Sequence, residues 1–212
     1  MRIVALICLG AMLAGCNAVT STTPLFSSAD VQGQAQFRSG VWLVEDKACA
    51  VDTAKPIGDW PDCAGAWIVH PGEMLVGRDP GKPASTWTSY KTLLVGGDPP
   101  ILQIAAGDDG GAEGYIYLGV RPLKTDALGR IIEYKAWAAL CGPPPAPDPT
   151  GEKSAVVSDK LFAGLVVDKD HQDCIASAQD PVRVSARASE AWGGDEDNRG
   201  RDTVRWVRDG DG

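Results

Sequence analysis

The stretch Arg130-Ile131-Ile132-Glu133-Tyr134-Lys135-Ala136-Trp137-Ala138-Ala139-Leu140 alternates with a period of two. Ile132, Tyr134, Ala136, Ala138 and Leu140 fall on one face, Glu133 and Lys135 on the other. Successive side chains of an extended chain point to opposite sides, so this is a strand with one buried face. Its partner is the run Tyr115 to Arg121, reached backwards through a loop that ends in Gly129. Further back, Ile101 to Ala105 is a third run, joined to Tyr115 by the turn-forming stretch Gly107-Asp108-Asp109-Gly110-Gly111-Ala112-Glu113-Gly114. Neighbouring runs joined by short polar connections pair antiparallel.

The same grammar extends to both ends of the chain. Gly40-Val41-Trp42-Leu43-Val44 is β-branched and aromatic after a glycine. Ala66 to His70 and Glu73 to Val76 flank Pro71-Gly72 and read as a hairpin. Thr86 to Val95, Ala163 to Val167 and Thr203 to Arg208 are further strands. Asp180-Pro181 opens the one good helix, with Asp180 as N-cap, Pro181 at the first helical position, Val184, Ala188, Ala191 and Trp192 as its apolar stripe, and Gly193 as its stop. The expected fold is therefore mainly β, an antiparallel meander closed or half closed into a small barrel or sandwich, with one C-terminal helix. Gly142 to Thr150 holds five prolines and must be an extended connector.

The first sixteen residues follow a different rule. Arg2 precedes an apolar run, Ile3 to Leu13, far short of the roughly 20 residues that span a membrane. Leu13-Ala14-Gly15-Cys16 follows. The segment resembles a bacterial lipoprotein signal peptide, and those four residues resemble its lipobox. The resemblance implies cleavage before Cys16 and a diacylglyceryl group on its thiol with a further acyl chain on its amine. Asn17, rather than Asp, implies delivery to the outer membrane, with the domain facing the periplasm. Residues 1–15 are then a removed signal, 16–36 a lipidated N-terminus with a Thr/Ser-rich flexible tether, and 37–212 a single β-rich domain.

Composition narrows the partners. The chain of 212 residues carries 28 acidic and 20 basic side chains, a formal charge of −8. Such a chain is repelled by phosphate backbones, which argues against nucleic acid. Cys49, Cys63, Cys141 and Cys174 form an even set beyond the signal, which in an exported chain means two disulfides. Cys49 with Cys63 and Cys141 with Cys174 is the expected pairing, although four cysteines allow three connectivities. Gly40 to Cys49 and Gly164 to Cys174 share a glycine, an apolar strand, an acidic turn and a cysteine, an echo that chance explains at least as well as a duplication.

Candidate chemistry is sparse. No G-x-S-x-G, H-E-x-x-H or P-loop is present, and no cofactor motif. Asp168, Asp170, His171 and Asp173 crowd a turn with metal-ligating groups, yet the glycine and terminal glutamate of a calcium loop are missing. His70 ends a hairpin strand. Among seven tryptophans, Trp87 and Trp192 are candidates for lining a ligand groove, and Trp60 for packing over the first disulfide. Two functions of different class follow. One is a non-catalytic, membrane-anchored module that binds an envelope protein or a small ligand. The other is an envelope hydrolase using clustered carboxylates such as Asp108, Asp109 and Glu113. Mass spectrometry of protein purified from its membrane is expected to find Cys16 as an acylated N-terminus. An unmodified Met1, or a free amine and thiol at Cys16, would refute the lipobox assignment.

Overall fold

A computed structural model of the chain describes residues 17–45, 48–76, 87–106, 114–143, 160–167, 173–191 and 203–210. Eleven strands and one α-helix follow one another: β1 (Val19–Ser21), β2 (Gly40–Val44), β3 (Ala66–His70), β4 (Glu73–Val76), β5 (Thr88–Val95), β6 (Ile101–Ala106), β7 (Gly114–Thr125), β8 (Ile131–Ala138), β9 (Leu165–Val167), β10 (Cys174–Ala176), α1 (Gln179–Ser189) and β11 (Thr203–Arg208). From β2 to β8 each strand pairs antiparallel with the next. β11 then fits between β8 and β2, pairing with both, so eight strands close into a barrel and not a sandwich. β1, β10 and β9 extend the wall sideways from the start of β7.

Register assigns the two faces. Trp42, Val69, Met74, Leu94, Leu102, Ile104, Val120, Tyr134 and Val204 meet in the lumen. The opposite parity of β2 and β3 is apolar too. Val41, Leu43, Ala66 and Ile68 pack outward beneath the loop that carries Ile57, Trp60 and Ala64. The Cys49–Cys63 disulfide staples this cover, with Cys49 and Trp60 in one cluster as expected. A third apolar layer lies outside β5 to β8, where Val95, Ile101, Tyr117 and Ala139 meet Phe26, Val182 and Ala186. The buried Cys141–Cys174 disulfide crosses it and ties the end of β8 to β10.

Two expectations are corrected. Residues 17–36 are not a loose tether. Val19 and Phe26 are buried, β1 lies between β7 and β10, and the chain then crosses the outside of the barrel through a 3₁₀ turn at Ser28–Val31. Polar composition concealed this because the anchoring is by backbone. Gln103 Oε1 accepts the N–H groups of Leu25 and Phe26, each at 3.0 Å, and its Nε2 donates to Phe26 O at 3.3 Å. The second correction concerns α1. Its N-cap is Ala178, Asp180 stands in the first turn, and Val184 is exposed. The buried face is Val182, Ser185, Ala186 and Ser189. Small residues let the helix approach the wall closely. Ser185 Oγ donates to Leu140 O, Leu140 N donates to Ser189 Oγ at 2.9 Å, and Trp137 Nε1 donates to Ala186 O at 2.7 Å. The echo strands occupy unlike places: β2 is a barrel stave, whereas β9 is the last strand of the side sheet among the described residues.

Trp137 reaches α1 by lying across Gly119, its cross-strand partner. A Cβ at position 119 would stand 2.5 Å from the indole ring. Gly119→Ala is expected to lower the unfolding free energy by about 1–3 kcal/mol through overpacking. The urea midpoint should fall at constant slope. An unchanged midpoint would mean that the indole is not held there.

Candidate functional site

The barrel differs at its two ends. At the end where β2 and β8 begin, an aromatic group fills the lumen. Phe37 lies 4.7 Å from Tyr134 and 5.7 Å from Trp42, centroid to centroid, and Trp42 lies 5.3 Å from Tyr134. Phe37 is delivered by backbone pairing: Ile131 N donates to Gln36 O at 2.8 Å and Arg38 N to Ile131 O at 2.9 Å. Trp42 Nε1 donates to Arg38 O at 3.0 Å. The Arg38 guanidinium in turn stacks 3.5 Å above the Trp206 ring and pairs with Asp209 at 2.9 Å. A cation over an indole face is attracted by the ring quadrupole, so the closure is both packed and charged.

Toward the other end, where the chain leaves the barrel at Val76, Ala106 and Ala138, the lumen wall is only half buried. Trp67, Val76, Tyr90, Ile116, Leu118 and Ala136 pack against the lumen core there without being enclosed by it. Among the described residues, the lumen positions between Val44 and Val204 carry no carboxylate, imidazole or amine. Polar groups are few. The Trp67 indole N–H is buried against the phenol of Tyr134. Burial pushes the Tyr134 phenol well above its ordinary value, an effect its indole neighbour only partly offsets. An apolar wall suits an apolar body.

The residues singled out in the sequence fall as follows. Both expected disulfides are formed. Trp87 is buried in the outer cluster with Val41, Trp60 and Ile68, and its N–H has no hydrogen-bond partner among the described residues. His70 is exposed at its hairpin end. Asp173 sits just before β10. Cys16, Asp108, Asp109, Glu113, Asp168, Asp170, His171 and Trp192 lie outside the described residues, as does the proline-rich connector from 144 onward. Among the described residues no group of three or more His, Cys, Asp or Glu is placed to hold a metal, and no helix is long and apolar enough to cross a membrane. The sequence did not single out Trp67, Tyr90 or Leu118. Their alternation was visible, but not which face of the strand turns into the lumen.

No family model, curated protein or solved structure matches the chain.

The phenol of Tyr134 yields a test of the closed end. Its folded-state value is raised, so the stabilisation from keeping it neutral is complete below the unfolded value of about 10. It is lost as pH rises from there toward the folded value. Thermal stability is expected to fall above about pH 10, and Tyr134→Phe should flatten that decline. An ultraviolet titration showing all four tyrosines ionising together near pH 10, with the fold intact, would contradict a sealed lumen.

Proposed function

We propose that the chain is a lipoprotein of the outer membrane, attached through Cys16 and facing the periplasm, and that its barrel is a non-catalytic binding module. The address is supported by the resemblance of Leu13-Ala14-Gly15-Cys16 to a lipobox. Two disulfides agree with an oxidising compartment. The observation that carries the binding role is the asymmetry of the lumen. Phe37, Trp42 and Tyr134 shut one end, while Trp67, Tyr90, Ile116 and Leu118 line the other at half burial. An eight-stranded barrel has an interior that side chains just fill or that takes one small ligand. The ligand this suits is small and apolar.

Two measurements test this. The wild type is expected in the membrane fraction, and Cys16→Ala in the soluble periplasm. Recovery of both in the same fraction would refute the anchor. Separately, titration with a fluorescent fatty-acid analogue is expected to saturate at one equivalent and to quench tryptophan emission. Ala136→Phe, which narrows the lumen without adding charge, should abolish binding while the near-ultraviolet circular dichroism stays native. Saturation unaffected by that substitution would place the binding elsewhere.

A further inference from the structure

Register carries the lumen surface of the barrel out onto the side sheet. Ile104 pairs with Ile116, Ile116 with Thr20, Thr20 with Ile175, and Ile175 with Val166. These residues form one row across β6, β7, β1, β10 and β9. Their neighbours of opposite parity, Tyr117, Val19, Cys174, Ala176 and Leu165, point into the core beneath α1. The row therefore lies on the other face. Its burial falls outward: Ile104 is buried, Ile116, Thr20 and Ile175 are half buried, and Val166 is 67% exposed. Ala18 and Leu140, bridged to each other, are half buried beside it. None of these seven side chains is charged. Among the described residues the sheet ends beyond Val166, with β9 paired on one side only. An apolar face running out to an open edge is normally covered by something.

The start of the chain identifies the cover. Asn17 O accepts the Cys141 N–H at 2.7 Å, and Val19 N donates to Ala139 O at 2.8 Å. Cys16 is thus one peptide away from a fixed point. Two extended residues reach only about 7 Å. Acyl chains on Cys16 would enter the bilayer within that distance of Ala18 and Thr20, so this face could not stand clear of the lipid. Charge favours the same orientation. With a formal charge of −8 the chain is repelled by anionic headgroups, and an uncharged face is the one it can bring to them.

We propose that the Ala18–Thr20–Leu140–Ile175–Val166 face seats directly on the lipid surface, held flush by the short connection to Cys16. This rests on the lipid-anchor reading above. The row begins inside the lumen, so the same contact turns the half-buried end of the barrel toward the membrane. A ligand could then pass between lipid and lumen along an apolar path.

The test uses the full acylated chain in vesicles of phosphatidylethanolamine and phosphatidylglycerol. A diazirine amino acid replaces Val166 or, as a control, Leu128, which is 78% exposed at the far turn between β7 and β8. Photolysis is expected to join position 166 to lipid and position 128 to none. Inserting about twenty Gly/Ser residues between Cys16 and Asn17 adds about 25 Å of reach and should abolish the lipid adduct. Adducts from position 166 to a second copy of the chain, or to no molecule although the protein remains vesicle-bound, would overturn the face and leave the anchor standing. An adduct that survives the spacer would overturn the short connection as its cause. Loss of wild-type acylation, or vesicle binding by Cys16→Ala, would overturn the anchor and the face with it.

Discussion

The structure depends on β11 being hydrogen-bonded along both of its edges. Val204 faces Val44 on one side and Tyr134 on the other, and Trp206 faces Trp42. Without this strand the meander from β2 to β8 would be an open sheet with two unpaired edges, each a row of unmatched N–H and C=O groups. With it the sheet is a cylinder, and every lumen side chain has a neighbour across the interior. The aromatic closure is a direct product. Trp42 on β2 and Tyr134 on β8 are two strands apart, and only the intervening β11 brings them within 5.3 Å. The join is crowded as well as bonded. Gly40 has φ +126°, and a Cβ there would stand 2.2 Å from Arg208 O, so β2 can start against β11 only as glycine.

Closure also explains why the wall needs two outer covers. A barrel of eight short strands hides one face of each strand in its lumen, but β2, β3, β6 and β7 carry large apolar side chains on both faces. The disulfide-stapled loop shields one outer flank, and the N-terminal crossing with α1 shields the other. The second cover is held more by polar geometry than by area. Gln103 is buried yet fully engaged with the backbone at Leu25 and Phe26. Arg183 donates to Gly96 O and Arg187 to Asp98 O. A buried amide that meets its partners fixes position, whereas one left unmatched would cost more than it contributes.

Strands that alternate, and hairpins marked by Pro71-Gly72 or Gly129, were legible because their pattern is written in side chains. Closure was not legible, since β11 pairs with β2 across most of the chain and the same strands could line a sandwich. β1 and the segment after it were read as a tether because backbone ladders leave no compositional trace. The helix was legible as an element but not as a surface. Its buried stripe is Ser185, Ala186 and Ser189, which resemble a solvent face until the wall beside them is known. The lumen suffered the opposite ambiguity. In Ala66-Trp67-Ile68-Val69 both parities are apolar, so nothing in the run shows that Trp67 turns inward and Ile68 outward.

The placement of β1 has a consequence for the order of events in a chain delivered N-terminus first. Thr20 Oγ1 reaches Cys174 O across 154 positions. The leading strand can meet β7 once Tyr115 and Ile116 have emerged, but its other edge stays unpaired until Cys174 arrives. Contacts so distant in sequence are slow to form because the loop between them must close first. During that interval the opening residues are an accessible extended substrate for any enzyme that trims or modifies them. Oxidation of Cys141 with Cys174 brings β10 to the end of β8 and completes the slot. Once β1 has entered it, the Cys141 N–H is bonded to Asn17 O and the slot is closed.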